Sequence, residues 1–384
     1  MTAATQRFTA LDVFRGLTIC LMIIVNTPGN GDTTYAPLHH AKWHGFTPTD
    51  LVFPSFLFAV GNAMSFVMKK WEGLSQSTVL WKIFKRTFII FLLGFLMYWF
   101  PFVRWSADNT LTAIPFEETR VFGVLQRIAL CYGIAALLIY YLKPKAALIV
   151  SVIFLFLYWV LLYAFGNGAD PLSMQDNFGS VVDRWLLGEK HLYHGEGVAF
   201  DPEGLLSTLP AVANVVAGFI AGKFIQENIR PDDMVVRASA YEGLSKLLLA
   251  GSLLLFAAYC WDLSFPINKK LWTSSFVLHT VGLDCIILAI IIYTIHFKKY
   301  TVGTYFFEVF GRNPLFIYLL SEIIAILLWF FKADGQTPVY SWLYDNLFVH
   351  AGNYFGSFLF ACTVMIICWL VGYLLDKKKI YIRV

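Results

Sequence analysis

Apolar runs of about 20 residues, the length a helix needs to cross a bilayer, follow one another along the chain with short polar breaks between them. The expected membrane spans are 12–26, 50–68, 87–103, 121–142, 146–165, 205–225, 243–261, 272–296, 305–331 and 354–375. Ten spans return the chain to the side on which it began. Most connections are short. Three longer, polar ones, at 26–48, 166–204 and 332–353, all fall on one side of this topology. The second is long enough to fold over a site as a lid. No short-period repeat or low-complexity linker interrupts the pattern, so residues 1–384 are read as a single all-α, polytopic integral membrane domain.

Composition strengthens that reading. Charged residues make up 14% of the chain and the hydrophobic set 58%, whereas soluble domains carry about 25% charged residues. The net charge of +4 is accounted for by where the cations fall. Lys69, Lys70, Lys82, Lys85, Lys143, Lys145, Lys298, Lys299 and the tail motif DKKK lie opposite the three long loops. By the positive-inside rule that side is cytoplasmic, and both termini with it. The charge calls for no nucleic acid. The first apolar run has no small-residue cleavage pattern behind it and is expected to stay as a helix. Cys20, Cys131, Cys260, Cys285, Cys362 and Cys368 all fall in expected spans without a CxxC pair, so neither disulfides nor a metal knuckle are expected.

One border carries concentrated chemistry. The stretch YAPLHHAKWHGFTPTDLVFPSFLFAVG, residues 35–61, sets His39, His40, His44, Lys42, Trp43 and Asp50 against an apolar run. TPTD at 47–50 is a helix start, with Thr47 as N-cap, Pro48 first and Asp50 third. Asp50 is therefore read either as a capping carboxylate or as a catalytic one. Capping leaves the histidines unexplained. His40 and His44, four residues apart, would share a helix face, but no third ligand accompanies them and no metal is expected. One histidine titrating near neutral pH is the candidate general base. Farther along, DPEG at 201–204 starts another helix, capped by Asp201, and makes Glu203 a site candidate. Arg127 lies inside an apolar span, where a cation is costly and usually functional. Trp43 suits either a membrane interface or stacking on a sugar ring.

LDVFRGLTICLMIIVNTPG at 11–29 and HHAKWHGFTPTDLVFPSFLFAVG at 39–61 resemble the start of heparan-alpha-glucosaminide N-acetyltransferase and its bacterial relatives. The likeness continues through RVFGVLQRIALCY at 120–132, FDPEGLLSTLPA at 200–211, PINKKLWTSSFVL at 266–278 and GRNPLFIY at 311–318. It implies a multi-pass protein of the cell inner membrane that takes acetyl from cytoplasmic acetyl-CoA and passes it to an amino sugar across the bilayer. Homodimerisation is left open. The family's active histidine, in a pattern of the type KHASWNGLT, falls on His40. Its asparagine at the end of the first helix falls on Asn26, and the aspartate of ADLVFP on Asp50.

The chemistry implied suits these residue types. A histidine can take the proton that makes an amine non-nucleophilic. Asn26 can donate to the developing thioester oxyanion, and transfer through acetyl-His40 is an equally open route. Acetyl-CoA enters as donor substrate, and its phosphates call for Arg or Lys within reach of the cytoplasm. Arg127, Arg15, Arg86 and Arg312 are the candidates. Arg15, three residues after Asp12, is alternatively half of an ion pair, and Arg86 and Arg312 are alternatively anchors at helix ends. Trp43 and Glu203 are candidates for holding the sugar. The competing class is an amino-sugar transporter, which would show interrupted helices in matching halves. No such symmetry is visible.

Overall fold

The computed structural model describes residues 8–229 and 237–382; the extreme ends of the expected domain and the stretch 230–236 lie outside them. The architecture is all-α. In chain order the helices are α1 (Thr9–Asn26), α2 (Val52–Met68), α3 (Gln76–Trp99), α4 (Val124–Phe165), α5 (Phe178–Leu187), α6 (Thr208–Asn228), α7 (Arg237–Asp262), α8 (Ser274–Ile292), α9 (Thr304–Arg312), α10 (Pro314–Phe330), α11 (Val339–Leu343) and α12 (Asn353–Lys377). Between α3 and α4 lies a small hairpin in which β1 (Val103–Trp105) pairs antiparallel with β2 (Leu111–Ala113), Arg104 opposite Thr112. Among the described residues seven helices are long and apolar enough to cross a membrane, or eight when the bent α9–α10 pair counts as one. The expected span at 87–103 falls on α3, whose first half carries Lys82, Lys85 and Arg86.

The spans expected at 121–142 and 146–165 both lie in α4, which is 42 residues long. Lys143 leaves the helical region there (φ 65°, ψ 162°) and Pro144 follows it. On the first arm Arg127 stacks over Trp272, and on the second Tyr158 donates to the carbonyl of the adjacent Leu271. A straight helix would hold Arg127 and Tyr158 about 46 Å apart. Meeting neighbouring residues requires the arms to run antiparallel. A proline lacks the N–H the helix needs and disfavours helical geometry in the residue before it, which fixes the turn at this point.

The expected span 305–331 is not one helix. The chain bends by 85° between Arg312 and Pro314, again at a proline. Asn313 straps the tail across the bend, donating to the Ile380 carbonyl at 3.1 Å and accepting from the Ile382 amide at 2.8 Å.

Helices cross closely. A Cβ on Gly61 of α2 would stand 1.9 Å from the Val215 carbonyl oxygen, and one on Gly218 of α6 would stand 2.0 Å from that of Phe58. Both positions must lack a side chain for the backbones to touch, the way helices associate where lipid gives them no hydrophobic drive. At one end of the bundle Tyr98 in the last turn of α3 meets Arg120 ahead of α4, while Trp272 ahead of α8 packs on Phe53 in the first turn of α2 and under Arg127 in the first turn of α4. The segment 166–204 is tied down over that end through Trp43, Thr119 and Lys270.

Candidate active site

The entry to α2 is built around one carboxylate. Asp50 is fully buried and closes a capping box with Thr47. Its Oδ2 accepts from the amides of Ala41 (3.1 Å) and Thr47 (3.0 Å) and lies 3.1 Å from the Thr47 hydroxyl. Its Oδ1 stands 2.7 Å from His40 Nδ1. The two readings of Asp50 are therefore one arrangement: the residue that caps the helix also holds the imidazole. An ionised carboxylate only accepts, so Nδ1 carries the proton and Nε2 presents its lone pair. Gly45, in a left-handed conformation (φ 115°), turns the chain between the two partners, and its amide donates to the Ile267 carbonyl at 2.8 Å.

That bond brings in the loop between α7 and α8, which the sequence did not single out as a site. Lys269 Nζ stands 3.1 Å from His40 Nε2 and 3.3 Å from Nδ1. Asn268 reaches His44 Nδ1 at 3.3 Å, and Lys270 donates to the Lys42 carbonyl at 3.1 Å. Burial pushes the His40 imidazole below its ordinary value, against the upward pull of the Asp50 hydrogen bond. Burial likewise lowers the Lys269 ammonium, with Glu203 and Asp50 opposing. The lowered value favours the neutral imidazole, the form able to accept a proton.

A second layer lies behind it. Arg120 holds Asp201 with two donors, Nε at 2.9 Å and Nη2 at 2.6 Å, and reaches Glu203 at 2.7 Å. Its guanidinium sits between the rings of Tyr98 and Tyr193, 4.9 and 4.8 Å from their centroids. Burial alone would raise Glu203, but the charges of Arg120, Arg127 and Lys269 hold it below its ordinary value. Asp201 is displaced upward by its burial, with Arg120 opposing. Glu203 is accordingly committed to cations. DPEG is not the helix start expected: it forms a turn, α6 begins at Thr208 with Ser207 before it, and Asp201 serves Arg120 and the Glu203 amide instead. Trp43 gives its indole N–H to the Leu172 carbonyl at 3.1 Å and packs edge-on against Phe200, so it pins the segment 166–204. Asn26 donates to Glu322 of α10 at 3.1 Å.

The four arginines expected to hold the donor separate. Arg15 and Arg86 line one cavity with Phe56, Val60, Ile128 and Leu315. Arg15 also bonds Asp12 and the Gly311 carbonyl, each at 3.2 Å, and Arg86 stacks over Tyr132. Arg312, at the bend beside this cavity, pairs with Glu308 and Asp376, each at 2.5 Å. Arg127 differs. It is fully buried and faces away from the cavity its neighbour Ile128 lines, donating instead to Gly204 and Ser207 and stacking over Trp272. It belongs with the Glu203 layer because successive helix residues point about 100° apart. Among the described residues no group of three His, Cys, Asp or Glu side chains is placed to share a metal ion.

The family described as "Heparan-alpha-glucosaminide N-acetyltransferase, catalytic" matches residues 7–259, which include His40, Asp50, Arg120 and Glu203. The whole chain is similar to the heparan-alpha-glucosaminide N-acetyltransferase of Homo sapiens, with 26% identity over 433 aligned positions, and covers 61% of that protein. It is likewise 26% identical to the Mus musculus protein of that name over 431 positions, again covering 61% of it. The chain spans about three fifths of the length of these relatives.

Proposed function

Because the chain belongs to the heparan-alpha-glucosaminide N-acetyltransferase family, we propose that it is a transmembrane N-acetyltransferase carrying acetyl from acetyl-CoA to the amine of a glucosamine-type sugar, with His40 as base or acetyl acceptor. The observation that carries this reading is the His40–Asp50 pair: a buried carboxylate fixes the tautomer that leaves Nε2 free. In direct transfer Nε2 takes a proton as the sugar amine attacks the thioester carbonyl. The C–S bond then breaks and the CoA sulfur takes up the proton. In the two-step route Nε2 itself attacks and the C–S bond breaks to release the CoA thiolate; the amine then attacks the acetyl carbon, its bond to Nε2 breaks to restore the imidazole, and the amine's proton neutralises the thiolate. Asp50 stabilises the imidazolium in either case. Asn26 gives one amide N–H to Glu322 and keeps a second with which to donate to the developing oxyanion.

The donor enters on the side of Arg15, Arg86 and Arg312, whose fixed charges suit its phosphates. The Lys and Arg distribution supports a cytoplasmic position for that face and both termini, with the segment 166–204 opposite, and the proposed location is the cell inner membrane. The test is release of free CoA by purified protein in detergent, with acetyl-CoA and with or without glucosamine. Release that requires the amino sugar is expected. A protein that binds glucosamine yet never consumes acetyl-CoA fits a transporter instead.

A further inference from the structure

We infer that Lys269 is a catalytic residue of this transfer, the cation that receives the thioester oxygen as negative charge develops on it; this rests on the acetyltransferase reading. A point 3.1 Å from Nε2 and 3.3 Å from Nδ1 cannot lie in the imidazole plane without overlapping a ring carbon, so Lys269 Nζ stands over the ring face. The in-plane lone pair of Nε2 is left open to substrate. A carbonyl carbon brought to that lone pair, or to an amine hydrogen-bonded to it, places its oxygen beside the ammonium.

The position is fixed from both sides. The Ile267 carbonyl accepts from Gly45, Asn268 bonds His44, and the Lys269 carbonyl accepts from Trp272 at 3.0 Å. Trp272 itself holds a left-handed conformation (φ 56°) that a bulky residue rarely adopts. A loop fixed in this way is pre-organised for its chemistry. The charges match. Lys269, Arg120 and Arg127 face Asp50, Asp201 and Glu203 across one cluster; His40 itself is faced by Asp50, by Lys269 in contact, and by the charge of Lys270 next along the loop. Asn26, the other candidate donor to the oxyanion, spends one of its two amide N–H groups on Glu322, whereas the Lys269 ammonium stands directly against the His40 ring.

The step balances. Attack moves the carbonyl π electrons onto oxygen, where the Lys269 N–H groups hold them. Their return reforms C=O and expels the thiolate. Lys269 neither gains nor loses a bond to acetyl. Removing such a donor typically lowers kcat by roughly 100- to 1,000-fold.

The experiment compares wild type, Lys269→Met, Lys269→Gln and Lys269→Arg in detergent, using acetyl-CoA and glucosamine. The two neutral variants should lose roughly 100- to 1,000-fold in kcat with little change in the KM for acetyl-CoA, and Lys269→Arg should recover much of it. A cation beside His40 depresses its pKa, so the neutral variants should also move the acid limb of the pH profile to higher pH, while the Arg variant leaves it in place. Either neutral variant suffices if the other does not purify as a monodisperse protein. Neutral variants within a few-fold of wild type overturn the proposal. So does a loss that Lys269→Arg does not relieve and that leaves the acid limb unmoved, which marks Lys269 as structural. Acetyl found on Lys269 by mass spectrometry overturns it as well, making the lysine an acceptor. A wild-type protein that consumes no acetyl-CoA overturns the acetyltransferase reading itself, a distinct result.

Discussion

At the scale of single residues the proposed chemistry depends on one imidazole, whose Nδ1 faces Asp50 and whose Nε2 would meet the substrate. His40→Ala should lower amino-sugar-dependent CoA release by roughly 100- to 10,000-fold, the contribution of a general base. His39→Ala and His44→Ala should each leave substantial activity, since His39 bonds the Thr34 carbonyl and His44 bonds Asn268. A rate comparison of the three variants decides this, and equal losses would remove His40 from its role. Asp50→Asn keeps an acceptor for the helix cap but withdraws the charge that holds the His40 pKa up. His40 then titrates lower still, so the acid limb of the pH profile should move to lower pH while kcat falls for want of imidazolium stabilisation. The capping box at Thr47 and Asp50 was legible in the sequence, and resemblance supplied the histidine as a candidate. Neither disclosed that they are one device, because capping is local whereas the His40–Asp50 contact depends on the turn at Gly45. Lys269 was not legible at all. It is 229 positions from His40, and two adjacent lysines at a span border look like interface anchors.

At the scale of elements, the apolar helices were legible because apolar length is dictated by the bilayer, and the two prolines that interrupt helices explain where length misleads. Pro144 divides α4 where two spans were expected, while Pro314 divides what was expected to be one. The lid anchor was less legible, because DPEG reads fully as a helix start. In the structure its Asp201 and Glu203 are both held by Arg120 ahead of α4. Arg120→Leu leaves two buried carboxylates without their cation, and breaking a buried pair in this way costs about 3–5 kcal/mol. The segment 166–204 should then be cut faster by protease in detergent, at unchanged α1–α2 integrity. Arg120→Lys, which cannot reproduce the two-donor grip on Asp201, should fall between. Cleavage at the wild-type rate in Arg120→Leu would mean that Trp43 and Lys270 hold the segment without it.

At the scale of the whole molecule, α4 separates two polar regions. Ile128 lines the cavity with Arg15 and Arg86, while Arg127 turns to Gly204, Ser207 and Trp272 in the layer behind His40. One residue along a helix thus changes which substrate an arginine should serve, a distinction that an intramembrane arginine in a sequence does not show. Arg86→Ala should raise the KM for acetyl-CoA and leave the KM for glucosamine unchanged. Arg127→Met, which keeps the side chain's length within the packed interior, should lower kcat or weaken the sugar while leaving acetyl-CoA binding intact. The proposed transfer across the bilayer requires the two ends to open to different compartments. A reporter fused after Val384 should report cytoplasm, and a tag between Asp108 and Asn109, in the exposed turn of the β1–β2 hairpin, should be reached only from the opposite face. If Arg86→Ala and Arg127→Met both raise the acetyl-CoA KM alone, the two regions are one donor site and α4 does not divide them. If reporter and tag fall on the same face, the alternation of spans that puts donor and acceptor on opposite sides is lost, and His40 would have to meet its amine on the side where acetyl-CoA arrives.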